Sequence, residues 1–391
     1  MPGNALLPPH GGMIITRGLE EWACLLSQDL PFSTAQRLLG WQTQEPKILS
    51  TTELRQLVRQ HGRIIRTQEA AEVEELLARS DLSELKPRLV PAQTPRRRAA
   101  WPAELNAAVE AQLSAPNPQP PKGVSKQDWE RVLAARRAER ELDGAALARL
   151  GPEIQPGQVV VAPDEVKVRK PTKRSWWELR TARIATAQGY RYLSGTGDAF
   201  LRRLYLLIVL CGGMRGLVTL LCDGARWIRA FFEQYLSHLP FKECILDWYH
   251  LKKKCYELTS MICRGRKAKA RLLGSLLFSL WRGDVDAALQ QLEAYRPEAK
   301  NEARLDELMA YIQNRRSLIP NYKARRRECR FNGSGHGEKA NDLLVARRQK
   351  HKSMHWSWAT GDALAALKTL MLNHGWDLYW QKRQVLPLAA T

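Results

Sequence analysis

The sequence predicts an α/β chain: a central sheet flanked by helices, carrying an all-helical insertion and preceded by a helical N-terminal region. Three observations predict it. "QVVVAPDEVKV", soon after residue 156, is a Val-rich strand. From about residue 198 to 253, short apolar runs alternate with helical stretches, the pattern of a sheet covered by helices. Between about 253 and 325 the strands stop, and "KAKARLLGSLLFSLWRGDVDAALQQLEAY" and "NEARLDELMAYIQNRRSLI" are amphipathic helices.

Residues 1–80 form the helical N-terminal region. "STAQRLLGWQ" and "LSTTELRQLVRQHGRII" place apolar residues at helical spacing, with Ser33 and Ser50 at N-cap positions. The second segment carries Arg55, Arg59 and Arg63, so the pair is helix-turn-helix-like and suited to DNA, although any small helical hairpin has the same pattern. Residues 81–155 follow as a basic and Pro-rich linker ("TPRRRAAW", "APNPQPPKG") and a charged helix starting at Ser125.

Residues 156–391 make the α/β domain. "ARIATAQGYRYLSG" is a strand or hairpin with Gly189 near the turn, and "DAFLRRLYLLIVLCGG" is a helix closed by two glycines. "GLVTLLCDGARWI" is a buried strand ending at Asp223-Gly224, followed by a helix. "KECILDWYHLKKKCYELTSM" repeats that plan and ends its strand near Asp247. Beyond Pro320 the chain runs through "NYKARRRECRFNGSGHG" to a helix that Glu338 opens, then to "TGDALAALKTLMLNHGWDLYWQ".

The 391 residues hold 61 Lys+Arg against 40 Asp+Glu, a formal charge of +21, which favours a polyanionic partner. Nucleic acid leads over an anionic membrane surface. The opening "MPGNALLPPHGGMIITRG" has Pro and Gly where a signal peptide needs an apolar core, and "LYLLIVLCGG" is too short to span a bilayer. Seven cysteines include no C-x-x-C pair, which points to a reducing, cytoplasmic setting.

Three acids stand out by position. Asp164 lies within a buried-looking strand, Asp223 at a strand's C-terminal end, and Glu338 at a helix start behind a Gly-rich loop. Carboxylates converging from separate elements are what a pair of Mg²⁺ ions requires. Each has a plainer alternative: Asp164 pairing with Lys167 or Arg169, Asp223 making an Asx turn, Glu338 complementing a helix dipole. Glu165 and Asp198 compete for the first place, Asp198 being better suited to capping the helix it precedes. On a 100° step Glu338, Asn341, Asp342 and Val345 share one face, opposite Ala340, Leu343 and Leu344. Arg325, Arg326 and Arg327 precede the acid, and Lys339, Arg347, Arg348 and Lys350 follow it, an arrangement suited to a phosphate backbone. Trp227, Trp248 and Trp356 offer rings to splayed bases or to the core.

"LLCDGARWI", "ILDWYHLKKK", "RSLIPNY", "GSGHGEKANDLLVARRQKHKSMHWS" and "NHGWDLYW" closely resemble bacterial insertion-sequence transposases of the DDE type, nearest to the ISKra-like and ISLre-like groups. The similarity covers roughly residues 156–391. It implies a ribonuclease-H-like catalytic core with acids on the first strand, the fourth strand and a late helix. Asp164, Asp223 and Glu338 occupy those positions and would hold two Mg²⁺ ions, for which Mn²⁺ can substitute. The resemblance also places Asp247 and His250 of "DWYH" near DNA at the active site; a local contact between the two is the alternative. Implied partners are double-stranded DNA, as terminal inverted repeats and target, and further copies of the chain in a dimer or higher oligomer on DNA. Implied chemistry is cleavage at transposon ends and strand transfer in a nucleoid-associated setting.

Overall fold

A computed structural model describes residues 9–10, 13–91, 154–172, 175–328, 330–350 and 354–390, with positions 119, 126, 127 and 130 besides. Apart from those four positions, the Pro-rich linker and the charged helix expected from Ser125 lie outside the described residues. The chain divides into two compact units, one comprising Met1–Val90, Gln155–Asp247 and Gly333–Thr391, the other Pro91–Ile154 and Trp248–Asn332.

The first unit is built on a mixed five-stranded sheet. Its strands are β1 (Gln158–Arg169), β2 (Trp176–Thr186), β3 (Gly189–Gly195), β4 (Leu217–Cys222) and β5 (Lys242–Leu246). Their spatial order is β3-β2-β1-β4-β5. β1 and β3 flank β2 antiparallel to it, while β1, β4 and β5 run parallel. The sequence of β1 explains its central place. Gln158–Pro163 is buried on both faces, as a strand covered by helices on each side must be. From Val166 onward burial alternates, with Val166 and Val168 inside and Lys167 and Arg169 outside. Lys167 pairs with Glu178 across the β1–β2 ladder, so it is not spent on Asp164.

Helices α1 (Arg17–Asp29), α2 (Phe32–Thr43) and α3 (Thr51–Ala78) make up the N-terminal region. Ser50 caps α3 in a reciprocal box with Glu53. Ser33 does not cap α2, which starts one residue earlier, behind Pro31. These helices have no core of their own. Leu39, Leu54, Leu57 and Ile65 share one apolar cluster with Val166, Val168, Trp177 and Leu179 of the sheet. Leu364 and Leu367 of α12 (Trp358–Leu372) and Trp376 and Tyr379 of α13 (Trp376–Lys382) complete it. The boundary expected at residue 80 therefore separates no two cores, and the C-terminal "NHGWDLYW" block packs where the N-terminal helices do. Lys86–Pro87 pairs with Ala389–Ala390, joining both ends of the unit.

Between β3 and β4 runs α4 (Gly197–Ile208), closed by a π-turn in which Gly212 is left-handed at φ 93°. Thr196, not Asp198, takes the N-cap position. Asp198 instead accepts from Arg202 at 2.7 Å and from the Tyr235 hydroxyl. α5 (Arg226–Gln234) follows β4.

The second unit, among its described residues, is all-helical. α6 (Trp248–Ile262), α7 (Arg266–Trp281), α8 (Val285–Ala294), α9 (Glu302–Gln313) and α10 (Tyr322–Arg327) bury Leu251, Leu258, Leu276, Leu292, Leu308 and Ile312. Its ends meet, because Trp248 N donates to Asn332 O at 2.9 Å. The Trp281 ring stacks on Tyr322, with centroids 5.8 Å apart. No helix among the described residues is long and apolar enough to cross a membrane.

Candidate active site

Three acids stand at or just past the ends of the parallel ladders. Val161 pairs with Leu220 and Cys222 with Leu246. Three residues past that β1–β4 pair stand Asp164 on β1 and Asp223 just beyond β4, and one residue past the end of β5 stands Asp247. Asp223 keeps the turn that Asp-Gly predicts. Its Oδ1 accepts from Ala225 N at 2.8 Å, and Gly224 takes φ 89°, a conformation side chains disfavour.

Glu338 arrives from above the sheet on α11 (Gly335–Asn341). Two contacts dock this helix. Asn341 Nδ2 donates to Asp164 Oδ2, while the Thr181 hydroxyl, paired with Asp164 across β1–β2, donates to Asn341 Oδ1. Gly337 lies so close to β1 that an added Cβ would sit 3.3 Å from Ala162 O. Here the loop glycine permits close approach of helix and strand; it is not a hinge. Glu338 is exposed, three residues before Asn341 and so one turn away on the same face. The face expected from a 100° step fails further on. A π-turn at Asp342–Ala346 adds to the register, and Val345 is buried together with Leu344.

Asp247 performs a task that spacing did not reveal. It is 2% exposed, and Oδ2 accepts from both the backbone N–H and the hydroxyl of Ser334, the latter at 2.6 Å. The carboxylate thus fixes the chain where it re-enters the unit, four residues before Glu338. Burial removes Asp247 from direct contact with DNA. Asp247→Ala leaves two buried donors unpaired and should cost about 2–3 kcal/mol of stability. Urea unfolding measures this; a loss below about 0.5 kcal/mol, the range of a neutral surface change, would show that Ser334 needs no such anchor.

Glu165, the competing first acid, is a different kind of group. It faces away from Asp164 in the pleat and lies 4.0 Å from Arg180. Burial, then the charge of Glu178, raises its pKa; Arg180 and Lys167 oppose this, and Asp223 adds to it. The Arg180 guanidinium lies over the Trp227 ring at 4.6 Å. Trp227 is therefore occupied within the protein, as are Trp356, buried at 8% exposure, and Trp248, 4.7 Å from Trp281. None is splayed to receive a base.

The expected basic interface divides by burial. Arg325 is buried, and its guanidinium donates to Phe331 O; Arg348 is buried and donates to Ser27 O at 3.0 Å. In each case a backbone carbonyl of the same unit draws the guanidinium inward. Arg326, Arg327, Lys339, Arg347, Lys350, Arg55 and Arg59 are exposed. Arg347 pairs with Asp342 at 2.9 Å. His250 is half-buried in the first turn of α6.

The donor set of Asp164, Asp223 and Glu338 is all hard carboxylate oxygen, the kind Mg²⁺ takes. Among the described residues, no three His, Cys, Asp or Glu side chains are gathered closely enough to form a metal cluster. Asp164 is held by Asn341, and Asp223 by its own turn. A scan against protein-family models finds no match, and a search of curated proteins finds no relative.

Proposed function

We propose that the chain is a DDE-type DNA transposase, which cleaves transposon ends and joins the freed 3′-hydroxyl to target DNA. The observation that carries this reading is the placement of Asp164 on β1 and of Asp223 just past the neighbouring parallel β4, with the helix that bears Glu338 docked on β1 through the Asn341–Asp164 contact. In chain order these are the first strand, the fourth strand and a late helix, the positions that the resemblance assigns to the acids of a ribonuclease-H-like core. Two Mg²⁺ ions bound there would activate water or a 3′-hydroxyl and stabilise the leaving oxygen. The protein's own part is positional. Asn341 orients Asp164, Asp247 anchors the approach to Glu338, and Lys339 and Lys350 offer exposed cations to phosphates. The +21 formal charge draws DNA in over a longer range. The substrates are terminal inverted repeats and target DNA, bound by a dimer or higher oligomer.

The test is incubation of the full chain with labelled duplexes bearing its element's own ends and Mg²⁺. Nicking that exposes a 3′-hydroxyl, followed by a joined product, is expected, and EDTA should abolish both. Cleavage without joining would reassign the chain as a nuclease or resolvase. DNA binding with no Mg²⁺-dependent product would sink the catalytic reading.

A further inference from the structure

A groove of about 530 Å³ in the first unit is lined by Phe32, Arg55, Arg59, Arg348, Trp356 and Ser357, among others. It contains no carboxylate among the described residues that line it. None of the three arginines makes an ion pair with a described residue. Arg59 is turned inward by hydroxyls, donating to Thr360 Oγ1 at 2.7 Å and Ser357 Oγ at 3.3 Å. Arg55 lies over the Phe32 ring at 5.3 Å.

Arg348 is the unusual member. Only 5% of it is exposed, and its guanidinium is packed over Trp356 at 4.6 Å and Phe32 at 5.2 Å. Nε donates to Ser27 O, yet buried Nη2 makes no hydrogen bond among the described residues. A buried guanidinium with an idle donor and no counter-ion is costly, and an anion in the groove would supply what it lacks. Burial lowers the Arg348 pKa to about 10 against the opposing charge of Asp29, which is itself paired with Lys368. The first turn of the twelve-residue α2 also borders the groove and has no side-chain cap, leaving its amides for the same anion.

We propose that this groove is a phosphate site that holds the nucleic-acid backbone apart from the carboxylates. The anion site rests on its own geometry; the choice of DNA as the phosphate's source rests on the function proposed above.

The experiment uses the full chain, an arbitrary-sequence 30-base-pair duplex and, separately, inorganic pyrophosphate. Salt dependence of duplex binding is compared for wild type, Arg55→Ala/Arg59→Ala and Arg79→Ala. Each lost phosphate contact lowers the log–log salt slope by about 0.9, so the double arginine variant should lose close to 2. Its affinity should fall at least about tenfold at fixed salt, while Arg79→Ala, at an exposed arginine outside the groove, keeps the wild-type slope. Urea unfolding checks that the double variant is folded; should it unfold, Arg55→Glu, a change at an exposed position, replaces it, with a slope loss of about 0.9 and the same fall in affinity. An unchanged slope and affinity in the folded variant overturn the proposal. Arginine-dependent binding of pyrophosphate without arginine-dependent binding of duplex overturns the nucleic-acid source. If wild type shows no strand cleavage but the slope still falls, the groove stands and the transposase reading fails.

Discussion

Asp223→Asn is expected to abolish Mg²⁺-dependent strand cleavage, by a factor of about 10³ or more, while leaving the protein folded. Both halves follow from the same carboxylate. In the fold, Asp223 accepts one hydrogen bond, from Ala225 N, and the amide oxygen of asparagine accepts it equally well. The turn survives, so urea stability should change by no more than about 0.5 kcal/mol. In catalysis the lost charge is one ligand of a site whose metal ions contribute several kcal/mol to the transition state, which sets the thousandfold scale. Glu338→Gln should behave alike, since the exposed Glu338 side chain makes no hydrogen bond or ion pair with a described residue. Asp164→Asn is the less clean change, because Asp164 Oδ2 accepts from the Asn341 amide and a second amide would have to turn its oxygen there. Single-turnover cleavage of labelled ends decides the matter. Wild-type rates in Asp223→Asn and Glu338→Gln together would end the three-acid proposal.

The strand, strand-end and helix-start settings of Asp164, Asp223 and Glu338 were legible in the sequence because each is local. A Val-rich run, an apolar run ending in Asp-Gly and a glycine-punctuated helix start each reveal themselves within about ten residues. What was illegible depends on partners far along the chain. Asp247 looks like one more strand-end acid until Ser334 closes on it from 87 residues away. Arg348 reads as part of a basic run, yet a carbonyl 321 residues earlier draws it inside. Helical periodicity marked the apolar stripe of α3 but could not tell what covers it. A DNA-reading helix and a core helix have the same stripe, and here a sheet and α12 lie against it.

That difference has a large, checkable consequence at Gly62. In a helix standing apart from the core, Gly62→Ala would add up to about 1 kcal/mol of stability through helix propensity. In this structure α3 and α12 touch at Gly62, where an added Cβ would lie 2.3 Å from the Ala363 Cβ and 2.5 Å from its Cα. Backbone stands on the far side of the clash, so no side chain can swing clear and the helices must part. Overpacking of this kind costs about 3 kcal/mol, which reverses the sign of the propensity effect. Gly274→Ala in α7, with open space around its Cβ position, is the control and should be neutral or stabilising. Ala363→Gly should recover much of the loss when combined with Gly62→Ala, because it removes one of the two colliding atoms and eases the other. Urea midpoints of the two single variants and the double variant test this directly. If Gly62→Ala is as stable as wild type, α3 does not pack on α12, and the N-terminal helices are free to act as a separate DNA-reading module.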